Sequence, residues 1–188
     1  MSWFDKLTLE IKIADMFEQP IDGIVCPVTT RLGAYGALSR QLFATASEAL
    51  TADISKVVAQ LDNKRLNLGA ALLLEAGLKY HLPGIGYVIL AALWDHENQY
   101  SANLIYQFFI NSLRKAFEYN LKSIALPILH VPLQMLAETI VRVIKDLDGL
   151  KISDQFSVEK IIILSVKEHD VTFIKDYLTT YLKPVIKE

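Results

Sequence analysis

Apolar residues recur along the chain with two spacings, one typical of strands and one typical of helices. Residues 7–13 alternate apolar and polar side chains, which indicates a half-buried strand near the edge of a sheet. Short apolar runs such as residues 161–166 indicate strands buried on both faces. The pattern predicts strands over residues 7–13, 21–28, 70–74, 86–93, 122–129 and 158–166. It predicts helices over residues 36–51, 53–61, 101–118, 133–147 and 171–182.

Strands that alternate with helices predict parallel crossover units, with helices on both faces of a central sheet. The fold class is therefore α/β, a three-layer α/β/α sandwich with a mixed, mostly parallel sheet. No linker, repeat or low-complexity tract interrupts residues 1–188, which predicts a single domain. Ligands of such sheets bind beyond the carboxyl ends of the strands. The loops that follow Ile13, Val25, Leu126 and Leu164 are therefore where a site is expected.

The composition is that of a globular protein, and it also indicates contact with a partner. The chain has 188 residues, of which 52% are hydrophobic and 21% are charged, and this balance excludes extensive disorder. The mean hydropathy of +0.29 is high for a soluble monomer. A strongly packed sheet together with some self-association would account for it, so we expect a homo-oligomer.

The net charge and the cysteine content limit which partners and which cellular compartment are expected. The net charge is −2 and the basic residues are scattered, which disfavours extended nucleic acid as a partner. Cys26 is the single cysteine, so no internal disulfide can form, which is consistent with a reducing compartment. We see no secretory signal and no apolar run long enough to cross a bilayer. A cytoplasmic protein without a membrane partner is expected.

Several segments occur in an order and spacing that one known family shares. Residues 9–16 read Leu-Glu-Ile-Lys-Ile-Ala-Asp-Met, and residues 22–29 read Asp-Gly-Ile-Val-Cys-Pro-Val-Thr. A loop with two glycines, Leu-Gly-Ala-Tyr-Gly-Ala, follows at residues 32–37, and Ser-Ile-Ala-Leu-Pro stands at residues 123–127. In this order the segments resemble the macro domain family, and the likeness extends over nearly the whole chain.

The resemblance implies a macro-like fold that binds ADP-ribose or a related nucleotide as a ligand, with no cofactor required. In the family an Asp after the first strand accepts the exocyclic amine of adenine, and Asp15 stands in that place with Met16 beside it. The family's first glycine-rich loop approaches a phosphate through main-chain N–H groups at a helix N-terminus. Its counterparts here are Gly33, Ala34, Gly36 and Ala37. Asp15 could instead cap a turn, and the glycines could serve an ordinary loop.

The second glycine-rich loop of the family has no match in this chain. After Pro127 the sequence reads Ile-Leu-His-Val-Pro, without a glycine, and Pro132 has no N–H to donate. Thr29 stands where catalytic members carry the Asn of the distal ribose, and it supplies neither an amide nor a general base. The resemblance therefore implies a cleft bounded by Asp15, the loop at residues 33–37 and His130. Nucleotide binding there is expected to be weak and without ADP-ribosyl hydrolysis.

Two other functions stay open. The apolar residues that replace the second loop could fill the cleft, which would leave a degenerate macro fold that serves as a protein-interaction or self-assembly module with no small-molecule ligand. Cys26 and His130 both belong to strand ends that face the cleft, so they could form an activated thiolate, although a buried cysteine and a loop histidine are the simpler interpretation. No metal site is expected, because Asp95, His96 and Glu97 are consecutive and cannot converge on one ion in regular structure.

Overall fold

The computed structural model describes residues 3–97, 100–150 and 155–182. The strands are β1 (Thr8–Ile13), β2 (Ile21–Thr29), β3 (Ala71–Glu75), β4 (Ile85–Trp94), β5 (Ser123–Pro127) and β6 (Lys160–Ser165). The α-helices are α1 (Trp3–Lys6), α2 (Gly36–Gln60), α3 (Ala102–Glu118), α4 (Leu133–Asp148) and α5 (Glu168–Tyr181). Short 3-10 helices lie at Met16–Glu18, Asp62–Lys64 and Gly77–Tyr80.

The six strands form one mixed sheet in the order β1-β6-β5-β2-β4-β3. Every neighbouring pair from β1 to β4 is parallel, and only the pair of β3 with β4 is antiparallel. The predicted mixed, mostly parallel sheet is confirmed, as is the position of the first strand at an edge. The parallel strands end at one edge of the sheet, so the loops after β1, β2, β5 and β6 lie near one another.

Helices cover both faces of the sheet, which gives the predicted three layers. One buried cluster lies between the sheet and α3, α4 and α5, and a second lies between the sheet and α2. Strand β6 shows how the pleat divides its side chains between the two: Ile161 and Ile163 belong to the first cluster, and Ile162 and Leu164 to the second. This two-sided burial explains why the strand is apolar at every one of these positions.

Helix α2, from Gly36 to Gln60, is interrupted as the prediction of two helices requires, but at a different residue. The break lies at Ser47, where φ is +48°, rather than near residue 52. The predicted boundary is therefore wrong. Neither glycine nor proline marks the real break, so the sequence gives no local signal for it. Beyond the break, the carboxylate of Asp53 accepts hydrogen bonds from the Tyr80 hydroxyl at 2.6 Å and from Lys79, which holds this half of the helix in place.

Two predicted boundaries near the edge of the sheet are also wrong. Strand β5 ends at Pro127 rather than at residue 129, because the chain turns where the amide of Val131 donates to the carbonyl of Leu129 at 2.9 Å. The closing helix begins at Glu168 rather than at residue 171, and its first main-chain bond runs from Val171 to the carbonyl of Lys167 at 3.2 Å. With the observed boundaries, more residues lie at the end of the sheet where a ligand would bind than the prediction gave.

In the described ranges, no helix has the length and apolar content that crossing a membrane requires. The predicted single domain includes residues 1–2 and 183–188, which lie outside the described part of the chain. Its extent therefore stays a prediction.

Candidate functional site

A cavity of about 330 Å³ opens at the carboxyl ends of the parallel strands. Its wall includes the loops that follow β1, β2, β5 and β6, as the topology predicted, together with Leu93 of β4 and Tyr100 in the segment after that strand. The volume lies at the lower end of the range of about 300–1,000 Å³ that is usual for small-molecule sites. The lining residues are Ala14, Asp15, Met16, Pro27, Tyr35, Gly36, Ala37, Leu38, Gln41, Leu93, Tyr100, Pro127, Ile128, Leu129, His130, Val131, Leu164, Ser165, Val166, Lys167 and Asp170.

Five of the eight predicted site residues line this cavity: Asp15, Met16, Gly36, Ala37 and His130. The other three, Thr29 at the end of β2 and Gly33 and Ala34 in the loop that follows, are not among its lining residues. Thr29 accepts a hydrogen bond at its Oγ1 from the amide of Gly33 at 3.0 Å, and its own amide donates to the carbonyl of Gly33 at 3.0 Å. Ala34 forms a bridge to Val28. The roles predicted for Thr29, Gly33 and Ala34 in binding stay predictions, although Thr29 and Gly33 are engaged with each other.

The first turn of α2 contributes residues 36–38 to the cavity wall. Gly36 has φ of +81°, a conformation that favours glycine, and a Cβ at this position would meet nothing within 4 Å. Tyr35 provides no side-chain cap to the helix, and its own amide donates to the hydroxyl of Ser39. The first amides of an α-helix have no partners within the helix. The amides of residues 36–38, which line the cavity, therefore have no acceptor within the helix.

Asp15 already has two hydrogen-bond partners. Its Oδ1 accepts from the amide of Phe17 at 2.8 Å, so the carboxylate caps the 3-10 helix Met16–Glu18. Its Oδ2 accepts from the side-chain amide of Gln41 at 3.1 Å. A carboxylate oxygen has two lone pairs, so each oxygen can still accept a further donor. Capping a turn and contacting a ligand are therefore compatible roles for Asp15.

Aromatic rings stand beside the first turn of α2. The ring of Tyr35 lines the cavity and lies nearly parallel to that of Trp94, with centroids 6.0 Å apart and an interplanar angle of 16°. Trp94 in turn contacts the ring of His96 edge-on at 4.5 Å. Tyr100 adds a further ring to the lining and is 47% exposed. Such surfaces suit a flat, uncharged ring system.

The far wall of the cavity combines a few charged groups with apolar side chains. Lys167 and Asp170, at the start of α5, contribute one cation and one anion. The amide of Lys167 donates to the hydroxyl of Ser165 at 3.1 Å, which fixes the turn from β6 into the helix. His130 is exposed and faces the cavity from the loop after β5.

Cys26 does not face the cavity, so the alternative of a Cys–His pair is wrong, and the simpler interpretation of a buried cysteine is confirmed. Its side chain is fully buried in the cluster between the sheet and α2, whereas His130 is exposed at the cavity. Alternation along β2 is the reason: Ile24, Cys26 and Val28 all point to the α2 face. Burial raises the pKa of the Cys26 thiol, which disfavours the thiolate that nucleophilic chemistry needs.

We expect Cys26 to be unreactive in the folded protein. Iodoacetamide at pH 8 should alkylate it at least about 100-fold more slowly than free cysteine, because the thiol is inaccessible and its pKa is raised. Mass spectrometry of the native protein, with the urea-unfolded chain as control, measures this. Alkylation of the native protein at the rate of free cysteine would contradict the packing described for β2.

A family model of the macro domain matches residues 25–138, which is more than half of the chain. The chain belongs to the macro domain family. The match covers the second half of β2, the first turn of α2 and the loop after β5, and thus most of the residues of the cavity wall.

Solved macro domains share the overall fold of this one. The Oceanobacillus iheyensis macrodomain, with MES bound and with ADP, gives TM-scores of 0.77 at 16% identity, covering 94% of this chain and 93% of that one. The macro domain of ganglioside induced differentiation associated protein 2 gives 0.73 at 16% identity, with 98% and 94% covered. The Trypanosoma brucei macrodomain in complex with ADP gives 0.71 at 15% identity, with 94% and 70% covered. Identities this low establish the fold alone. No curated protein matches the chain.

Sequence reasoning missed several residues of the macro domain cavity. Gln41 lies one helical turn after Ala37, so the helical period could have placed it at the site. Lys167 and Asp170 follow β6, whose loop was expected to contribute to the site. They were not named because the closing helix was predicted to begin only at residue 171. Tyr100 carried no signal, since it precedes the helix predicted at residues 101–118, in a loop where no site was expected. Among the described residues, no group of three or more His, Cys, Asp or Glu side chains could hold a metal ion.

Proposed function

We propose that this macro domain binds ADP-ribose or a related nucleotide in the cavity at the carboxyl ends of the strands, weakly and without hydrolysing it. The observation that carries the proposal is the open cavity that joins Asp15, the first turn of α2 and His130. The Oceanobacillus iheyensis and Trypanosoma brucei macrodomains have been solved with ADP, and a mutant of the former with ADPR. Family membership extends this expectation to the present chain.

Each part of the nucleotide has a candidate partner. The carboxylate of Asp15 would accept a hydrogen bond from the exocyclic amine of the base. The amides of residues 36–38 at the start of α2 would hold a phosphate, because a helix N-terminus offers unpaired donors and a favourable dipole. Gln41, which donates to Oδ2 of Asp15, would keep the carboxylate oriented toward the cavity.

Weak binding follows from the donors that are absent. The loop after β5 contains no glycine, and Pro132 has no N–H. Each charged hydrogen bond that an anion fails to regain costs roughly 1.5–3 kcal/mol. The absence of hydrolysis follows from Thr29, whose Oγ1 already accepts from Gly33, and from the burial of Cys26. The proposal places the protein in the cytoplasm, in keeping with its single cysteine.

Isothermal titration with ADP-ribose, ADP and AMP at millimolar ligand tests the proposal. Asp15→Asn should weaken the binding of adenine nucleotides about tenfold, because Asn keeps an acceptor for the amide of Phe17 but replaces Oδ2 with a donor. Asp62→Ala removes an exposed carboxylate that does not line the cavity and should leave the affinity unchanged. The absence of heat with all three nucleotides would refute the proposed function.

One observation favours self-assembly as a second function. Ile13 is 53% exposed and Val166 is 78% exposed, and both lie at the same end of the sheet, where Ile13 is in register with Ser165. Exposed apolar side chains that lie together are common at protein contacts. Light scattering tests self-assembly: a concentration-dependent dimer that Ile13→Asp abolishes would support it, because Ile13 does not line the cavity, and a monomer at all concentrations would exclude it.

A further inference from the structure

Strand β3 forms one edge of the sheet, and every second residue of it directs its main-chain polar groups away from β4. In an antiparallel ladder the N–H and C=O groups of alternate residues point to the neighbouring strand, and those between them point outward. The amide of Ala76 donates to the carbonyl of Gly86 at 2.8 Å. The carbonyl of Ala70 accepts from the amide of Ala92 at 3.0 Å. These bonds set the even-numbered residues toward β4, so the residues with outward groups are Ala71, Leu73 and Glu75.

The outer edge of β3 is unprotected. Among residues 3–97, 100–150 and 155–182, no strand pairs with this edge and no hydrogen bond reaches the outward groups. Edge strands are usually protected from further pairing by lysine, proline, a bulge or a covering segment. The sequence of β3, Ala-Leu-Leu-Leu-Glu, contains neither lysine nor proline, and its register with β4 is unbroken. Its apolar residues are each half-buried.

The opposite edge of the sheet is different. Strand β1 carries Glu10 and Lys12, and Glu10 forms ion pairs with Lys160 at 2.8 Å and with Lys12 at 3.7 Å. Charged side chains on an edge strand disfavour pairing with another chain, because the charges would lose water. The edge at β3 is therefore the edge that is open to a further strand.

A second copy of β3 is complementary to this edge across a two-fold axis at Leu73. Antiparallel pairing about that axis sets Leu73 opposite Leu73, and Ala71 opposite Glu75 of the second copy. Each outward N–H group then meets an outward carbonyl of the other copy, which is the arrangement of a symmetric dimer. On the other face of the sheet, Leu72 lies opposite Leu74 of the second copy, so half-buried apolar side chains cover each other.

The charge of Glu75 favours this register. An axis at Glu75 would place two carboxylates opposite each other, which is unfavourable. With the axis at Leu73, each Glu75 lies one pleat from Gly69 of the other copy. Asn111 Nδ2 donates to the carbonyl of Gly69 at 2.8 Å, and the side chain of Gln107 lies against this glycine. Gln107 accepts at Oε1 from Asn111 at 3.4 Å, and its Nε2 is a donor for the Glu75 carboxylate.

Leu78 is a second observation at the end of the same edge. It is 80% exposed, the largest value among the exposed large hydrophobic residues of the described chain. It lies in the 3-10 helix Gly77–Tyr80, which follows β3. An axis at Leu73 pairs positions that are equally far from it in opposite directions, so Leu78 comes to the part of the second copy that carries Leu68. Leu68 is half-buried, and contact with it would remove an isolated leucine from water.

We propose that β3 is the interface of a homodimer in which two copies pair this strand antiparallel about Leu73 and join their sheets into one. The contact lies at the edge of the sheet opposite to β1, so it is separate from the exposed residues Ile13 and Val166. None of residues 71–75 lines the cavity, so the dimer does not depend on the proposed ligand.

Sedimentation velocity over a wide range of protein concentration tests the dimer, with Glu75→Pro and Glu75→Gln as a matched pair. The amide of Glu75 points away from β4, so proline at this exposed position removes one intermolecular donor from each copy and no bond within the sheet. The wild type should be a dimer in reversible equilibrium, and Glu75→Pro should raise its dissociation constant at least about tenfold. Glu75→Gln keeps the N–H and the shape, so its dissociation constant should stay within about threefold of the wild-type value.

Thermal melting verifies that both variants are folded. A wild type that is monomeric at every concentration would overturn the inference and leave the edge to a different chain. A dimer that Glu75→Pro leaves unchanged, or that Ile13→Asp dissociates instead, would overturn it as well. Equal weakening by Glu75→Pro and Glu75→Gln would assign the contact to the side chain rather than to the main chain of β3, which also contradicts the inference.

Amide hydrogen exchange of the wild type gives a test that needs no variant. The amides of Ala71, Leu73 and Glu75 should exchange at least about tenfold more slowly in concentrated than in dilute solution, because dimerisation gives them acceptors. Those of Ile11 and Ile13 point outward from β1, whose alternate amides donate to β6, and should exchange at the same rate in both. Exchange at β3 that is independent of concentration, or protection at Ile11 and Ile13 instead, would refute a dimer through β3.

Discussion

Replacement of Ala37 with phenylalanine is expected to abolish nucleotide binding. Ala37 is exposed in the first turn of α2 and lines the cavity, so a benzyl group at this position would enter the space that the phosphate needs. The affinity for AMP should fall at least about 100-fold, because the loss combines steric exclusion with the loss of several charged hydrogen bonds of about 1.5–3 kcal/mol each. Calorimetry with AMP measures the effect.

The matched control for this change is Ala44→Phe. Ala44 is also exposed on α2 but does not line the cavity. Both variants add the same apolar surface to the same helix, and thermal melting of each checks that the fold is kept. Undiminished binding of AMP by Ala37→Phe would place the ligand elsewhere on the protein and contradict the proposed site.

Replacement of Trp3 with alanine is expected to lower the free energy of unfolding by about 3–5 kcal/mol, as is usual for removal of a large buried side chain. Trp3 is 1% exposed and contacts the rings of Phe117 and Phe156 edge-on, each with a centroid distance of 5.7 Å. Its indole N–H donates to the carbonyl of Val158 at 2.6 Å. Urea unfolding measures the change.

Trp3→Ala also tests whether the residues that precede the family match are part of the folding unit. The family match begins at residue 25, yet Trp3 is packed into the same core as α3 and the segment before β6. Trp3→Phe, which keeps an aromatic ring but loses the hydrogen bond, should cost about 1–3 kcal/mol and thus less than the alanine variant. A loss below about 1 kcal/mol for Trp3→Ala would show that the first residues are not an integral part of the domain.

The sequence predicted the features of this macro domain that depend on local pattern. Strand β6 is an apolar run because both of its faces are buried. Strand β1 alternates because only one of its faces is buried, and both strands were predicted from these patterns. The cavity was predicted at the carboxyl ends of the strands because parallel crossovers bring those ends together. Asp15 and Ala37 were placed at the site through family resemblance, and the structure locates both in its wall.

What the sequence could not supply depends on contacts between distant residues or on the direction of a side chain. Cys26 was expected at the cleft, and only its place in the pleat of β2 shows that it points to the α2 face. The break at Ser47 has no glycine or proline to mark it, and the second half of α2 is held by Asp53, whose partners lie 26 and 27 residues away. The engagement of Gly33 with Thr29 depends on the folded geometry of the loop.

We propose that main-chain amides at the start of α2 and the carboxylate of Asp15 form one ligand site. A two-dimensional ¹H–¹⁵N NMR titration with AMP tests it most directly, because each amide reports separately. Saturable shifts are expected for the amides of Gly36, Ala37 and Asp15. The amides of Leu78 and His81, which lie outside the cavity, should not shift. A spectrum that does not change at millimolar AMP, or that changes only around Leu78 and His81, would contradict it.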